Sequence, residues 1–324
     1  MIIIVDAMGG DNAPEAQVKG ALAAKKEFGC ELLFVGERTA IERILREEGE
    51  DPASYAIEHT DVVLHTDEDP FLVVKGKRDS SMGRALELLK EGKGDALASS
   101  GNTGALLTGA QLITKRIRGV RRAALASVIP TKKGGALLLD CGATADCSAE
   151  YLEQFALMGS LYASRVMKKE DPRVGLLNNG AEETKGDELR REAYARLKKA
   201  GEEGRLRFAG NCEARDVTEG DFDVIVADGF SGNILMKDMF YRNAGTKIMG
   251  LMMKKEIGKL RASLDYKEIG GAPLIGVDHA VIKAHGSANA YAFRSAVHQA
   301  MEYVDSGFIG TLREEIAAGK EEKA

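Results

Sequence analysis

One pattern recurs along this chain and limits the folds that it can adopt. A short run of aliphatic residues ends in a turn rich in glycine, aspartate, asparagine or serine, and an amphipathic helical stretch follows. The run 2–5 leads into Gly9-Gly10, the run 96–99 into Gly101, and the run 136–140 into Gly142. Continuous apolar runs are typical of parallel strands, which are covered on both faces. Their alternation with helical patterns predicts an α/β fold with a doubly wound, mostly parallel sheet.

The same patterns locate the individual elements. We predict strands at residues 2–5, 31–35, 96–99, 136–140, 174–177, 205–209 and 224–227, and helices at 14–28, 81–91, 103–116, 148–169, 182–200 and 290–304. The 324 residues suit a single α/β domain, 1–324, either undivided or in two lobes. The polar tail at 319–324 is predicted to fray.

Charge and cysteine usage exclude several classes of protein. The net charge of −5 excludes a basic nucleic-acid binder. The four cysteines, Cys30, Cys141, Cys147 and Cys212, match no zinc spacing and are predicted to be reduced thiols of a cytosolic protein. The N-terminus reads as a first strand rather than a signal peptide, and no apolar run reaches about 18 residues, the length of a membrane span.

The glycine-rich turns are candidate anion sites. The carboxyl ends of parallel strands share one edge, where ligands bind, and helices that open there present free N–H groups. The segment 99–105, Ser-Ser-Gly-Asn-Thr-Gly-Ala, is the best single candidate. One such turn is usually an ordinary helix cap, but five at the same edge favour a phosphate-like ligand.

Familiar nucleotide and hydrolase motifs are missing. The chain has no G-x-x-x-x-G-K-S/T, no G-x-G-x-x-G after a strand and no G-x-S-x-G. Ser231 could act as a nucleophile with Asp228 and His285, although a helix cap or an anion ligand is the preferred interpretation. Lys75, Lys77 and Lys185 near glycines, and His285 between small residues, are candidates for charge and hydrogen-bond donation. Their alternatives are solvated lysines and a structural histidine.

Several short strings, taken in order, carry a resemblance to a known family. They are Asp6-Ala7-Met8-Gly9-Gly10-Asp11, Ser100-Gly101-Asn102-Thr103-Gly104-Ala105-Leu106, Gln154-Phe155-Ala156-Leu157-Met158-Gly159, Gly175-Leu176-Leu177-Asn178, Lys185-Gly186, Asp228-Gly229-Phe230-Ser231-Gly232-Asn233 and Ala284-His285-Gly286-Ser287. Together they resemble the phosphate acyltransferases of bacterial phospholipid synthesis, the PlsX family, from residue 2 to about residue 300. The chain departs from the family pattern after Asn233 and at Arg122-Ala123.

The resemblance implies a reaction, a fold and a set of site residues. Inorganic phosphate attacks the thioester of a long-chain acyl carrier protein and yields acyl phosphate, with no cofactor and no metal. The fold implied is isocitrate dehydrogenase-like and phosphotransacetylase-like, in a homodimer. Helical spacing in the methionine-rich segment further predicts a protruding helical hairpin at 233–266. The predicted catalytic residues are Asn102, Lys185, Asn233 and His285. The predicted substrate-binding residues are Asp6, Gly9, Gly10, Lys75, Lys77, Ser81, Gly101, Thr103, Gly104, Asn178, Glu182, Asp228, Ser231 and Gly232.

The residues themselves favour direct attack over an acyl-enzyme. Phosphate carries about −1.5 charge near neutral pH and is itself a nucleophile, so it needs placement and charge cancellation rather than a strong base. Two alternatives stay open at this point. One is an NAD- and metal-dependent decarboxylating dehydrogenase of the same fold, and the other is a non-enzymatic regulator that binds phosphate or acyl carrier protein.

Two segments are candidate interaction surfaces. Residues 115–122 hold five cations in eight residues and are predicted to dock an acidic carrier protein, unless they are simply a solvated helix end. Five of the 11 methionines fall in 236–253, flanked by lysines. This segment is predicted to contact anionic lipid, to form the dimer core, or both. The predicted location is cytoplasmic, with peripheral contact at the inner face of the cell membrane.

Overall fold

The computed structural model describes residues 1–249 and 271–321. Over these residues the chain forms two compact α/β units, one built from residues 1–119 and 271–321 and the other from 120–249. The predicted α/β class with a mostly parallel sheet is confirmed.

The strands, in chain order, are β1 (Ile2–Asp6), β2 (Glu31–Gly36), β3 (Ala56–His59), β4 (Ala96–Ser99), β5 (Ala124–Thr131), β6 (Gly134–Leu139), β7 (Arg173–Asn178), β8 (Arg207–Glu213), β9 (Val224–Val226), β10 (Gly271–Ile275) and β11 (Ala280–Ala284). The helices are α1 (Glu15–Phe28), α2 (Arg38–Glu47), α3 (Ser81–Lys90), α4 (Thr103–Gly109), α5 (Ala149–Arg165), α6 (Glu188–Glu202), α7 (Gly229–Met249), α8 (Ala290–Asp305) and α9 (Phe308–Glu321). No helix within these described ranges is both long and apolar enough to cross a bilayer.

The strands of the first unit lie in the order β3-β2-β1-β4-β11-β10. All neighbours are parallel except β10 and β11. Ile3, Ile4 and Val5 of β1 are fully buried, as a central parallel strand requires. Helices α1 and α8 pack against each other, and α3 packs on β1.

The strands of the second unit lie in the order β5-β6-β9-β7-β8. Here β5 and β6 form an antiparallel hairpin, and the other pairs are parallel. Leu137, Leu138 and Leu139 are fully buried in β6, and α5 packs over β6 and β9.

Local sequence signals explain most helix ends. Pro14 precedes α1, and Gly29 ends it in the left-handed conformation (φ 79°), which glycine adopts without steric cost. The Ser80 hydroxyl accepts from the N–H of Gly83 at 3.2 Å and caps α3.

Some predicted boundaries were wrong. The helix predicted at 182–200 begins only at Glu188, because Asp187 is its cap and accepts from the N–H of Arg190 at 2.9 Å. The helix predicted at 103–116 is α-helical to Gly109 and continues as a π-helix over Ala110–Lys115. The helix predicted to Lys169 ends at Arg165, and the strand predicted at 205–209 runs from Arg207 to Glu213.

Six elements were not predicted, namely α2, α9, β3, β5, β10 and β11. Of the predicted helical hairpin at 233–266, only the first part is described, as the body of α7. Residues 250–266 lie outside the described residues, as do 322–324 of the predicted frayed tail.

Candidate functional site

The first unit has a topological switch point at the carboxyl ends of β1 and β4. The chain passes from β1 outward to β2 and β3, then returns to place β4 on the other side of β1. Ligands of open α/β sheets bind in the crevice at such a point. Asp6 ends β1, and the turns that follow the two strands carry Gly9, Gly10 and Gly101, so the fold brings four predicted site residues to one place.

The backbones of these two turns touch each other. A Cβ atom on Gly9 would lie 2.6 Å from Asp6 Oδ2 and 2.7 Å from the Gly101 nitrogen, so no larger residue fits. Gly10 has a φ of +99°, where a side chain would be strained. Glycine is therefore required here by close approach and by conformation.

Hydrogen bonds from buried polar side chains hold the turns after β1 and β4 together. Ser99 Oγ donates to Asp6 Oδ2 at 2.6 Å, and Ser100 Oγ donates to the Gly9 carbonyl at 2.8 Å. Gln17 Nε2 donates to the same carbonyl at 2.7 Å. Asp6 is fully buried, and burial raises the pKa of its carboxyl, opposed by hydrogen bonds from Ser99 and Ser81. Ser81, a predicted ligand residue, is itself buried beside this carboxyl.

Lys283 is a functional candidate that was not predicted from the sequence. It lies on β11 in register with Ser99 of β4 and is 7% exposed. Its Nζ donates to the Ala284 carbonyl. Burial lowers the pKa of Lys283 to about 8, and the carboxylates of Asp6 and Asp11 oppose this shift. A lysine inside the apolar run 280–284 was a usable signal, but its neighbours on other strands could not be read from the sequence.

His285 follows Lys283 at the end of β11, on the turn that meets the β1 turn. The Asp11 N–H donates to the Gly286 carbonyl at 2.8 Å. His285 Nδ1 lies 2.8 Å from Ser287 Oγ and accepts the Ser287 N–H at 3.2 Å, an arrangement that favours the neutral ring with its proton on Nε2. Burial, followed by the charge of Lys283, lowers the pKa of His285, which favours this neutral form. Its tautomer therefore makes Nε2 a hydrogen-bond donor.

The amide of Asn102 is engaged by the backbone. Its Oδ1 accepts from the N–H of Ala105 at 3.0 Å and caps α4. Its Nδ2 contacts three carbonyls of the 65–68 loop, with the closest, that of Thr66, at 2.9 Å. Thr103 is exposed at the start of α4, and a Cβ on Gly104 would meet Pro70 at 2.8 Å.

The two predicted lysines of the 75–77 loop differ in environment. Lys77 Nζ donates to the Val63 carbonyl at 2.9 Å and forms an ion pair with Glu68 at 2.6 Å. Lys75 is exposed. Lys77 therefore already has a carboxylate partner, whereas the Lys75 side chain faces solvent.

The second unit contains a cleft of about 1110 Å³ at its own switch point, between the carboxyl ends of β7 and β9. The predicted residues Asn178, Asp228 and Ser231 line it. It is also lined by residues that were not predicted as ligands: Ala145, Asp146, Cys147, Leu177, Asn179, Gly186, Asp187, Leu189, Arg190, Ala214, Phe230, Ile234, Leu235 and Asp238.

Arg190 is the central cation of this cleft. Its Nη2 donates to Asp228 Oδ2 and, at 2.7 Å, to Ser231 Oγ, while its Nη1 donates to Asp187 at 2.7 Å. The side chains of Arg190 and Asp228 are 17% and 8% exposed, so this is a largely buried, charge-assisted network. Asp228 Oδ1 also accepts the Ser231 N–H at 2.9 Å and caps α7.

The loop before α6 carries two more predicted residues of this unit, Glu182 and Lys185. Asn178 Nδ2 donates to the Lys185 carbonyl at 3.3 Å, and Asn211 Nδ2 donates to the Glu182 carbonyl at 2.8 Å. The Lys185 and Glu182 side chains are exposed. These hydrogen bonds hold the backbone of the loop, while the charged groups of Lys185 and Glu182 face solvent.

Asn233 and Gly232 pack against the turn after β6. Asn233 Nδ2 donates to the Cys141 carbonyl at 3.1 Å, and a Cβ on Gly232 would meet the Asp140 carbonyl oxygen at 2.0 Å. Asp140 accepts four backbone N–H groups, those of Leu125, Gly142, Ala143 and Thr144. Burial raises the pKa of Asp140. These contacts give Asn233 and Gly232 structural roles within the second unit.

All four cysteines are free, as predicted. Cys147 lines the cleft and is partly exposed, and burial, with the charges of Asp228 and Asp140, raises the pKa of its thiol to about 12. Within 1–249 and 271–321, no three His, Cys, Asp or Glu side chains are grouped so that they could hold a metal ion.

Comparison with known proteins decides the family. The profile of the family described as "Fatty acid synthesis protein" matches residues 1–311. A phosphate acyltransferase from Acetivibrio thermocellus is 42% identical over 332 residues, covering 97% of this chain and 96% of that protein. The chain belongs to this family of phosphate acyltransferases. It is an enzyme of the acyltransferase class, within fatty acid and phospholipid synthesis.

Solved structures support the family's expected fold. A phosphotransacetylase from Streptococcus pyogenes matches with a TM-score of 0.65 at 18% identity, covering 94% of both chains. An isocitrate dehydrogenase from Methylococcus capsulatus matches with a TM-score of 0.51 at 12% identity, covering 98% of this chain and 91% of that one. The predicted isocitrate dehydrogenase-like and phosphotransacetylase-like fold is thus confirmed, and at these identities the likeness concerns the fold alone.

Proposed function

We propose that this phosphate acyltransferase moves a long-chain acyl group from acyl carrier protein to inorganic phosphate and releases acyl phosphate for phospholipid synthesis. Family membership over nearly the whole chain carries the proposal. The dehydrogenase alternative loses its support, because the sequence relationship lies with acyltransferases and the fold alone is common to both classes.

We propose the switch point of the first unit as the phosphate site. Its support is the buried cation Lys283 on β11, in register with Ser99 at the end of β4, which Gly101 follows. A cation in a low-dielectric setting attracts a phosphate more strongly than one in water. Of the predicted cations, exposed Lys75 would assist, whereas Lys77 is paired with Glu68.

The proposed mechanism is direct attack by bound phosphate on the thioester carbonyl. One phosphate oxygen forms the new bond to the acyl carbon, the carbon–sulfur bond breaks, and the carrier leaves as its thiol after protonation. The environment of Ser231 supports direct attack by phosphate over a mechanism with an acyl-enzyme intermediate. Its hydroxyl is hydrogen-bonded to Arg190, which cannot accept a proton.

The thioester oxygen becomes negative in the transition state and needs donors. His285 is the best supported of the four predicted catalytic residues, because its Nε2 carries the ring proton. The side-chain amides of Asn102 and Asn233 are already hydrogen-bonded to the backbone, and the Lys185 side chain is exposed. Loss of one donor of this kind costs about 3 kcal/mol, roughly 10²–10³ in rate.

One assay tests the function. Purified protein is mixed with palmitoyl carrier protein, and release of free carrier is followed with and without inorganic phosphate. We expect release only with phosphate and one acyl phosphate per carrier released. Binding without turnover would support the regulator, and absorbance change at 340 nm with NAD and hydroxy acids would support the dehydrogenase.

Membrane contact and homodimer formation are further parts of the proposal. The methionine-rich segment 236–253 supports both, although residues 250–253 lie outside the described residues. Replacing Met249, Leu251 and Met252 with Ser should abolish co-sedimentation with anionic liposomes and leave the soluble reaction intact. If the variant instead becomes an inactive monomer in analytical ultracentrifugation, the segment belongs to the dimer interface.

A further inference from the structure

The cleft of the second unit has one apolar wall and one acidic rim. Phe230 and Ile234, one helical turn apart on α7, are 62% and 53% exposed and form an apolar ridge along the cleft. Leu177 at the end of β7 and Leu189 on α6 also line it. Large exposed apolar side chains that share a cleft mark a binding site rather than ordinary surface.

The charges of the cleft argue against an anionic occupant. Among the residues that the structure describes, four aspartates line it, Asp146, Asp187, Asp228 and Asp238, against the single cation Arg190. Arg190 is already engaged by Asp187, Asp228 and Ser231. Because two carboxylates already pair with this cation, a phosphate would meet net negative charge here, whereas an uncharged chain meets no charge repulsion.

From this combination we propose that the cleft binds the apolar chain of the acyl substrate. The proposal rests on the proposed function, which supplies a long-chain acyl group, and assigns that chain to a site of its own, lined by Phe230, Ile234, Leu177 and Leu189. The cleft volume of about 1110 Å³ is enough for a ligand of this size, since pockets of roughly 300–1,000 Å³ enclose drug-sized molecules. The Arg190 network keeps the polar side of the cleft in one arrangement and leaves α7 to present its apolar ridge.

Alkylation of Cys147 can report directly on whether the cleft is occupied. It lines the cleft and is partly exposed, while Cys30, Cys141 and Cys212 are buried. A chain bound in the cleft should therefore shield Cys147 from alkylation. Because the thiol has a pKa of about 12, labelling is followed at pH 8.5 over hours. A Cys147→Ser variant identifies the labelled residue.

The experiment uses unreactive S-alkyl-N-acetylcysteamine thioethers with four to twelve carbons. The full chain is alkylated with N-ethylmaleimide in their presence, and labelling at Cys147 is quantified by mass spectrometry. We expect the half-protecting concentration to fall with chain length, by up to about fourfold per methylene, which corresponds to about 0.8 kcal/mol. Ile234→Ser should weaken protection by the twelve-carbon probe about tenfold. Leu112→Ser is the matched control, because Leu112 is equally exposed (51%) and does not line the cleft.

Several outcomes would overturn the proposal. Protection that does not depend on chain length would assign the cleft to the pantetheine-like part of the probe, and protection by inorganic phosphate alone would make it an anion site. No protection, with phosphate-dependent carrier release intact, would place the acyl chain elsewhere. Chain-length-dependent protection without carrier release would support the cleft and contradict the proposed reaction, so the two failures are distinguishable.

Discussion

The guanidinium of Arg190 donates a hydrogen bond to the hydroxyl of Ser231 across 2.7 Å. The two residues lie 41 positions apart, on α6 and α7, and the same Nη2 atom also contacts Asp228. A serine nucleophile needs a neighbour that accepts its proton, and a guanidinium cannot do so. This contact identifies Ser231 as part of a structural network.

The first prediction concerns Ser231→Ala. We expect this variant to lower kcat for phosphate-dependent carrier release by no more than about tenfold, because it removes a hydrogen bond and not a nucleophile. The matched variant Arg190→Met should lower kcat by more than Ser231→Ala does, since it leaves Asp228 buried without its partner. Intact-mass analysis of the wild-type protein during turnover is the decisive measurement, and an acyl adduct on Ser231 would refute direct attack.

The second prediction concerns Lys283 and the pH dependence of activity. The pKa of Lys283 is lowered to about 8, so its positive charge is present below that pH and is lost above it. If the charge holds phosphate, kcat/KM for phosphate should fall as pH rises through about 8. In Lys283→Arg the side chain keeps its charge to much higher pH, so kcat/KM for phosphate should no longer fall as pH rises through about 8. An unchanged profile in the variant would remove Lys283 from the phosphate site.

The third prediction concerns Lys283 and stability without phosphate. Between pH 8 and 10.5 the unfolded chain binds more protons at this lysine than the folded chain, so its contribution to the free energy of unfolding rises with pH. Complete deprotonation of Lys283 in the folded protein should raise the free energy of unfolding by about 3 kcal/mol. Urea unfolding at pH 7.5 and 9.5 should show this rise in the wild-type protein relative to Lys283→Met. Parallel pH dependence in the two proteins would contradict it.

The fourth prediction separates the two roles of Asn102. Asn102→Asp keeps the cap oxygen of α4 but replaces the Nδ2 donor that faces three loop carbonyls, so we expect a loss of about 1–3 kcal/mol in stability. The added carboxylate should also weaken phosphate binding. Asn102→Ser keeps a cap without the charge. If both variants weaken phosphate binding equally by calorimetry, the 65–68 loop and not charge is responsible.

The fifth prediction concerns docking of the acidic carrier protein. In the second unit, Arg121 pairs with Glu150 at 3.2 Å, and the Arg122 guanidinium lies 5.8 Å from the centre of the Tyr151 ring. Arg118→Glu with Arg121→Glu should raise KM for acyl carrier protein and flatten its salt dependence. Arg207→Glu with Arg215→Glu, at side chains that are 53% and 77% exposed outside this basic segment, is the charge-matched control. Equal effects of both changes would leave only a general charge effect.

The fold class was readable from the sequence because its causes are local. A continuous apolar run such as residues 2–5 needs cover on both faces, and the glycine turn that follows each run marks a strand's carboxyl end. The failures have equally local causes. Helix α6 starts at Glu188 because the Asp187 side chain caps it, and the four-residue strand β3 is followed by no glycine turn.

What the sequence by itself determined is the family, the α/β class and the glycine turns around Gly9 and Gly101. Only the tertiary structure decided which side chains meet. Lys283 becomes a buried cation because β11 lies beside β4, and Arg190 reaches Ser231 because α6 and α7 open at the same switch point. These pairings join residues far apart in the chain. Their electrostatics depend on burial and neighbours, which no local pattern encodes.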